Sequence, residues 1–255
     1  MCAGKGRFYM NLIPGYFQPV NKPIEWKKYI HDAENRWNPE SSSMELACCW
    51  QSTPADFPLE VKLAFDRSGT AYEFLMGIPE YKVDMPGEGL PASNNLLVLS
   101  TVDHRLCPII VEGNKNGTFG EYCDHKSLQD KRHINRRKLM FADLGLSEDS
   151  FVPGKLRYQL MHRTLSAIYV AQSFCADRCM VLVHRISHDP EGHDAYADYK
   201  YFLGLFGVDA QKGIIQRCRI AGLQLMFLWV EDRNTYTPKK SAARNAKKAA
   251  VKEGK

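Results

Sequence analysis

The sequence predicts an α/β chain, α+β in how its elements are grouped, with a mixed central β-sheet flanked by helices. Three observations lead to this. Residues 156–174, LRYQLMHRTLSAIYVAQSF, put Leu156, Leu160, Ala167 or Ile168, and Ala171 on one face at helical spacing. The run CMVLVHRI (179–186) follows almost at once and is apolar in the continuous manner of a strand covered on both faces. NLLVLSTVD (95–103) and CPIIVEGN (107–114) are β-rich runs joined by a polar HRL connection, and they read as a hairpin. Strands before and after a central helix, with helices toward both ends, fit layers packed on one sheet.

Taken in order, residues 1–40 form a proline-rich, aromatic N-terminal extension. A helix is expected over 23–37, with Pro23 in its first turn and Pro39 past its end. The main domain spans 41–237. It opens with SSSMELACCWQ (41–51), where serines cap a helix carrying Leu46, Ala47 and Trp50 at helical spacing. A second short helix is expected over 59–66. The stretch EFLMGIPEYKVDMPGEGLPASNN (73–95) is broken by Pro and Gly, so strand assignment begins only at its end. Residues 121–150 are polar, include KRHINRRK (131–138), and suggest helix plus loop. A further helix is expected near 199–206, and IIQRCRI-AG-LQLMFLWV (214–230) reads as a final hairpin. No internal repeat is visible.

Composition narrows the class. With 255 residues, 44% hydrophobic and 11% aromatic, the chain is long and apolar enough for a substantial core, which excludes a disordered chain. No run of about 18 apolar residues occurs and the N-terminus lacks the pattern of a secretory signal, so a cytoplasmic protein with no membrane partner is expected. The eight cysteines are scattered without a C-x-x-C, which points to reduced, mostly buried thiols rather than disulfides or structural zinc.

The net charge of +5 is concentrated at one end. PKKSAARNAKKAAVKEGK (238–255) holds seven Lys or Arg and one Glu, which leaves the remainder near −1. Lys239, Lys240, Arg244, Lys247 and Lys248 therefore form a basic tail whose apolar residues, alanines and Val251, are too small to dock on a core. Such a tail suits phosphate neutralisation on nucleic acid, or simple solubilisation.

The blocks IPEYKVDMPG, SNNLLVL, IIVEGNKNGTFG, LRYQLMHRTLSAIYVAQSF and LQLMFLWVED resemble an uncharacterised bacterial and phage family related to the PD-(D/E)XK, or restriction-endonuclease-like, nucleases. The likeness runs from about residue 74 to 231. It implies a mixed four- or five-stranded sheet between helices. It also implies a site where an aspartate at the start of one strand, and a glutamate two residues before a lysine on the next, surround Mg²⁺ and the attacking water. Hard carboxylate oxygens hold such a metal, the metal activates water, and the lysine stabilises charge at the phosphate. This chain departs from the pattern twice: the aspartate position falls on Asn95 and the lysine position on Asn114, leaving Glu112.

Lys115 is the nearest replacement for the missing lysine. Side chains alternate along a strand, so Glu112 and Asn114 share a face and Lys115 points to the other, unless a bulge at Gly113 re-aims it. A regular strand is the expectation. Gln159, His162, Arg163 and Ser166, at i, i+3, i+4 and i+7, form a polar helix stripe that either serves a phosphate or water beside Glu112 or is an ordinary hydrogen-bonded face. Glu45 is a weak candidate metal ligand and more readily a surface helix residue; Glu80 is a carboxylate near the sheet edge with a structural role. Arg136 and Arg137 in KRHINRRK are candidates for phosphate contact, or part of a solvated charge run. His188, Asp189, Glu191, His193 and Asp194 read as a solvated turn.

The expectation that follows is a catalytically degenerate nuclease-fold protein that binds DNA or RNA, or a nucleoprotein partner, in a bacterial cytoplasm or phage-infected cell and without a cofactor. Two alternatives stand beside it. One is an active Mg²⁺- or Mn²⁺-dependent nuclease using Glu112, Lys115 and Gln159, with Asn95 as a further ligand and Glu45 or Glu80 supplying the missing groups. The other is a phage or defence-system protein-interaction module. A homodimer is compatible with all three.

Overall fold

The computed structural model describes residues 20–39, 41–53, 55–115, 117–186, 195–234 and 236. The tail candidates Lys239, Lys240, Arg244, Lys247 and Lys248 lie outside these residues, as does the run from His188 to Asp194. Six strands, β1 (Tyr72–Val83), β2 (Ala92–Val102), β3 (Arg105–Asn114), β4 (Arg178–Ile186), β5 (Gln216–Ile220) and β6 (Leu223–Asp232), form one sheet in the order β1-β2-β3-β4-β6-β5. The pairs β1/β2, β2/β3 and β5/β6 are antiparallel, whereas β3/β4 and β4/β6 are parallel, so the mixed sheet flanked by helices is present.

Local chemistry sets the hairpins. Asp103 and His104 both take positive φ between β2 and β3, and Ala221 and Gly222 do so between β5 and β6. Two consecutive left-handed residues give the turn whose twist matches the flanking strands.

Helices α1 (Ala33–Arg36), α2 (Ser42–Gln51) and α3 (Leu59–Arg67) precede the sheet; α4 (Lys131–Asp143), α5 (Tyr158–Ser173) and α6 (Ala195–Gly204) follow β3 and β4. The Ser41 hydroxyl accepts the Met44 N–H and so caps α2, as its serines suggested. One face of the sheet packs on Leu46, Ala47 and Trp50 of α2 and Val61 and Phe65 of α3; Trp26, from a short 3₁₀ turn (Pro23–Lys28), joins that layer. The other packs on Phe141 of α4, Leu160, Leu165 and Ile168 of α5, and Tyr199 and Phe202 of α6. Strand β4 alternates between the layers: Met180, Leu182 and Ile186 face α2, while Cys179, Val181 and Val183 face α5.

Two local expectations are corrected. The stretch broken by Pro and Gly contains β1, a 12-residue strand. β1 is an edge strand, with β2 on one side only, and an edge is where a sheet tolerates a proline such as Pro79. The helix expected over 23–37 is instead the 3₁₀ turn and the single-turn α1, separated by Asp32 at φ 56°.

Candidate functional site

Strand parity places the chemistry. Ile109 and Val111 of β3 face α2 and Ile110 faces α5, so Glu112 emerges toward α5 and Gly113 toward α2. The β3/β4 register runs unbroken from Ile109↔Met180 to Asn114↔Arg185, so Gly113 carries no bulge. Glycine suits the close approach of α2 there. A Cβ would lie 3.2 Å from Leu46 Cβ and 3.3 Å from the Ser42 carbonyl oxygen.

Lys115 is accordingly on the α2 side. Its ammonium binds the Pro39 carbonyl and lies 3.0 Å from a Glu45 carboxylate oxygen, and its N–H donates to the Ser42 hydroxyl at 3.1 Å. The other Glu45 oxygen accepts the Tyr236 N–H at 2.6 Å. Glu45, expected on a helix surface, is therefore buried, because a lysine and the end of the described chain close over it.

Glu112 is buried against α5. Gln159 Nε2 donates to one oxygen at 2.6 Å, and Arg163 Nε donates to the other. Arg163 also reaches the Asn94 side-chain oxygen at 3.3 Å. Burial pushes the Glu112 carboxyl above its ordinary pKa, against the downward pull of Arg163. Asn95 and Asn114 are spent on structure too. The Asn95 oxygen accepts the Gly113 N–H at 3.1 Å while its amide donates to Ser43; Asn114 accepts from Arg185 at 3.0 Å and donates to the Gly117 carbonyl.

These groups line an open cleft of about 430 Å³ at the end of β3, with Arg36, Asn38 and Ser41–43 on the α2 side and Gln159 and Arg163 on the α5 side. Arg157 pins the wall that follows β3: it pairs with Asp198 at 2.7 Å, donates to the Gly120 carbonyl and lies 3.6 Å from the Tyr122 ring centre. Glu80 is close by. It is buried with a left-handed backbone (φ 50°), and its oxygens accept from Ser43 and Ser93, which links it through Ser43 to Asn95.

The remaining candidates lie elsewhere. His162 turns away from the cleft to pack on Tyr158, 4.5 Å between ring centres; burial, with Arg136 and Arg163 nearby, lowers its pKa to about 3. Ser166 is fully buried on the inner face of α5. Arg136 is buried and donates to the Leu90 carbonyl, and Arg137 donates to the Cys123 carbonyl. These two guanidinium groups brace the layer around α4.

A second polar cluster was not anticipated. Cys49, His184 and Asp232, all buried, bring ligand-type atoms within 4.8 Å of one another. Their chemistry does not fit a metal. Trp50 Nε1, which can only donate, donates to His184 Nδ1 at 3.1 Å. The ring proton therefore sits on Nε2, 3.8 Å from an Asp232 oxygen, leaving that nitrogen no lone pair for an ion, whereas a metal-bound histidine donates its other N–H. Burial holds the Cys49 thiol far above its ordinary pKa, and the Tyr236 hydroxyl donates to Asp232 at 2.6 Å. The cluster secures the end of β6. The one sequence signal for it was a histidine within the apolar run of β4.

A family model described as a domain of unknown function, DUF6946, matches residues 19–234. No curated protein and no solved structure matches the chain.

Proposed function

The chain belongs to the family described as a domain of unknown function, DUF6946, and we propose that it is a catalytically degenerate, restriction-endonuclease-like protein that binds nucleic acid by occupancy rather than by cleavage. The observation that carries this reading is the state of Glu112. Both carboxylate oxygens accept N–H donors, one from a guanidinium, so an incoming cation meets like charge already seated on its strongest ligand. The oxygens of Asn95 and Asn114 also accept N–H groups, and Lys115 is paired with Glu45 across the sheet. What remains toward solvent is a polar cleft with exposed Arg36 at its mouth. The basic segment 238–255 adds sequence-independent attraction to phosphates.

The competing reading is an Mg²⁺- or Mn²⁺-dependent nuclease. It has one observation in its favour, Glu80, a second buried carboxylate linked to the cleft wall and held in a strained backbone conformation. Purified protein titrated on labelled single- and double-stranded DNA and RNA, from about 50 to 200 mM salt, is expected to shift the probe with a steep salt dependence. It should leave the probe intact when Mn²⁺ is added. Cleavage that disappears in Glu112→Ala would establish the nuclease instead, and absence of any shift would favour a protein-interaction module.

A further inference from the structure

Strand β1 and the 3₁₀ turn close a hollow on the α2 side of the sheet, and it shares no residue with the cleft at the end of β3. Strand register explains its shape. Phe74 pairs with Ser100 and Gly77 with Val98, so three steps along β1 answer two along β2, the mark of a bulge. The extra residue brings Phe74 and Gly77 to one face, the face on which Leu96 and Val98 meet α2. Trp26 of the 3₁₀ turn, Trp50 of α2 and Pro79 complete an apolar wall around a volume of about 350 Å³. Gly77 has no positive φ to require a glycine. A Cβ there would lie 3.3 Å from the Phe74 ring and 3.5 Å from Leu96, so the missing side chain leaves room in the hollow that these residues line. A glycine inside a strand often marks a place where a ligand comes close.

Two polar atoms give the hollow its chemistry. Trp26 is 2% exposed, yet its Nε1 has no hydrogen-bond partner among the described residues, and neither has the buried Thr53 Oγ1 on the same lining. The neighbouring Trp50 Nε1 is by contrast seated on His184. An indole N–H can only donate, and a hydroxyl can donate as well as accept. Both are therefore satisfied by one acceptor, and a buried donor without one is costly. No charged side chain lines the hollow, so nothing there balances an ionised ligand.

We infer that this hollow binds a small neutral molecule with a flat apolar body and a carbonyl-type oxygen. The body lies against Trp26, Trp50 and Phe74 over Gly77, and the oxygen accepts from Trp26 and Thr53. The volume falls within the range of small-molecule sites, about 300–1,000 Å³. Such a site is independent of the nucleic-acid reading, and either can fail without the other.

Three naphthalenes of similar shape separate these features when titrated into the full-length protein by calorimetry: 2-acetylnaphthalene, 2-ethylnaphthalene and 2-naphthoate. The acetyl compound is expected to bind about fivefold tighter than the ethyl compound, the worth of one net hydrogen bond, and the naphthoate is expected not to bind. The ethyl compound is the more apolar, so a preference for acetyl reports polar atoms. Trp26→Phe and Thr53→Val should bring the two neutral compounds toward equal affinity. Gly77→Val should abolish binding of both while circular dichroism stays unchanged. Equal affinity in the wild type overturns the carbonyl assignment, as does a preference that survives in both Trp26→Phe and Thr53→Val. Tight binding of the naphthoate overturns the neutral class, and full binding in Gly77→Val overturns the placement. Binding of none of the three overturns the site, whether another part of the chain or a second copy then covers the hollow.

Discussion

Arg163 lays its guanidinium on the Glu112 carboxylate, joining α5 to the end of β3 in a pocket where both side chains are about 7% exposed. The pair gives a buried carboxylate its counter-charge from within the protein.

Arg163→Met leaves Glu112 buried without a cation and is expected to cost about 3–5 kcal/mol, the usual penalty for breaking one half of a buried pair. Glu112→Gln with Arg163→Met removes both charges and should recover much of that loss. Urea unfolding of the two single variants and the double variant measures the coupling. Strictly additive losses would show that the two side chains do not stabilise one another.

Gly113→Ala pushes a methyl group toward Leu46 and the Ser42 backbone oxygen. An expected loss of about 1–3 kcal/mol follows from overpacking against atoms that cannot turn aside. A neutral result in thermal melts would mean that α2 stands farther from β3 than described.

Stability in acid should carry a contribution from His162. Its pKa is lowered to about 3 when folded, by burial and then by the neighbouring arginines, against an ordinary value of 6.5. The unfolded chain therefore binds the extra proton between those limits. The stabilisation is fully present above about 6.5 and is lost as pH falls toward about 3. The wild type should lose stability relative to His162→Phe as pH falls through this window, and a stability difference that does not change with pH would refute the assignment.

Trp50→Phe removes the donor that fixes the His184 tautomer. Wild-type protein should show no change in melting temperature with Zn²⁺. The variant, whose His184 Nδ1 is free to carry the proton, is expected to gain a Zn²⁺-dependent rise through Cys49, His184 and Asp232. A Zn²⁺ shift already present in the wild type would overturn the tautomer argument.

Much of the architecture is legible because it is written in local periodicity. Helix α5, strand β4 and the final hairpin follow from spacing, apolar runs and turn residues. Strand β1 does not, since Pro79 reads as a breaker until its place at the sheet edge is known. The site divides in the same way. Alternation along β3 suffices to separate Glu112 from Lys115, a separation the unbroken register bears out. Nothing local could assign Arg163 to Glu112, 51 residues away, or Lys115 to Glu45 across 70. The burial of Arg136 beneath Leu90 and the meeting of Trp50 with His184 are of the same kind.

The sequence by itself determined the layered α/β class and the face on which each β3 side chain lies. These depend on residue identity and on a period of two. Only the tertiary structure decided which partners the charged side chains meet. A buried carboxylate must find its partner among residues that the fold, not the chain, makes neighbours. In this protein the fold supplied an arginine to Glu112 and gave Lys115 to Glu45.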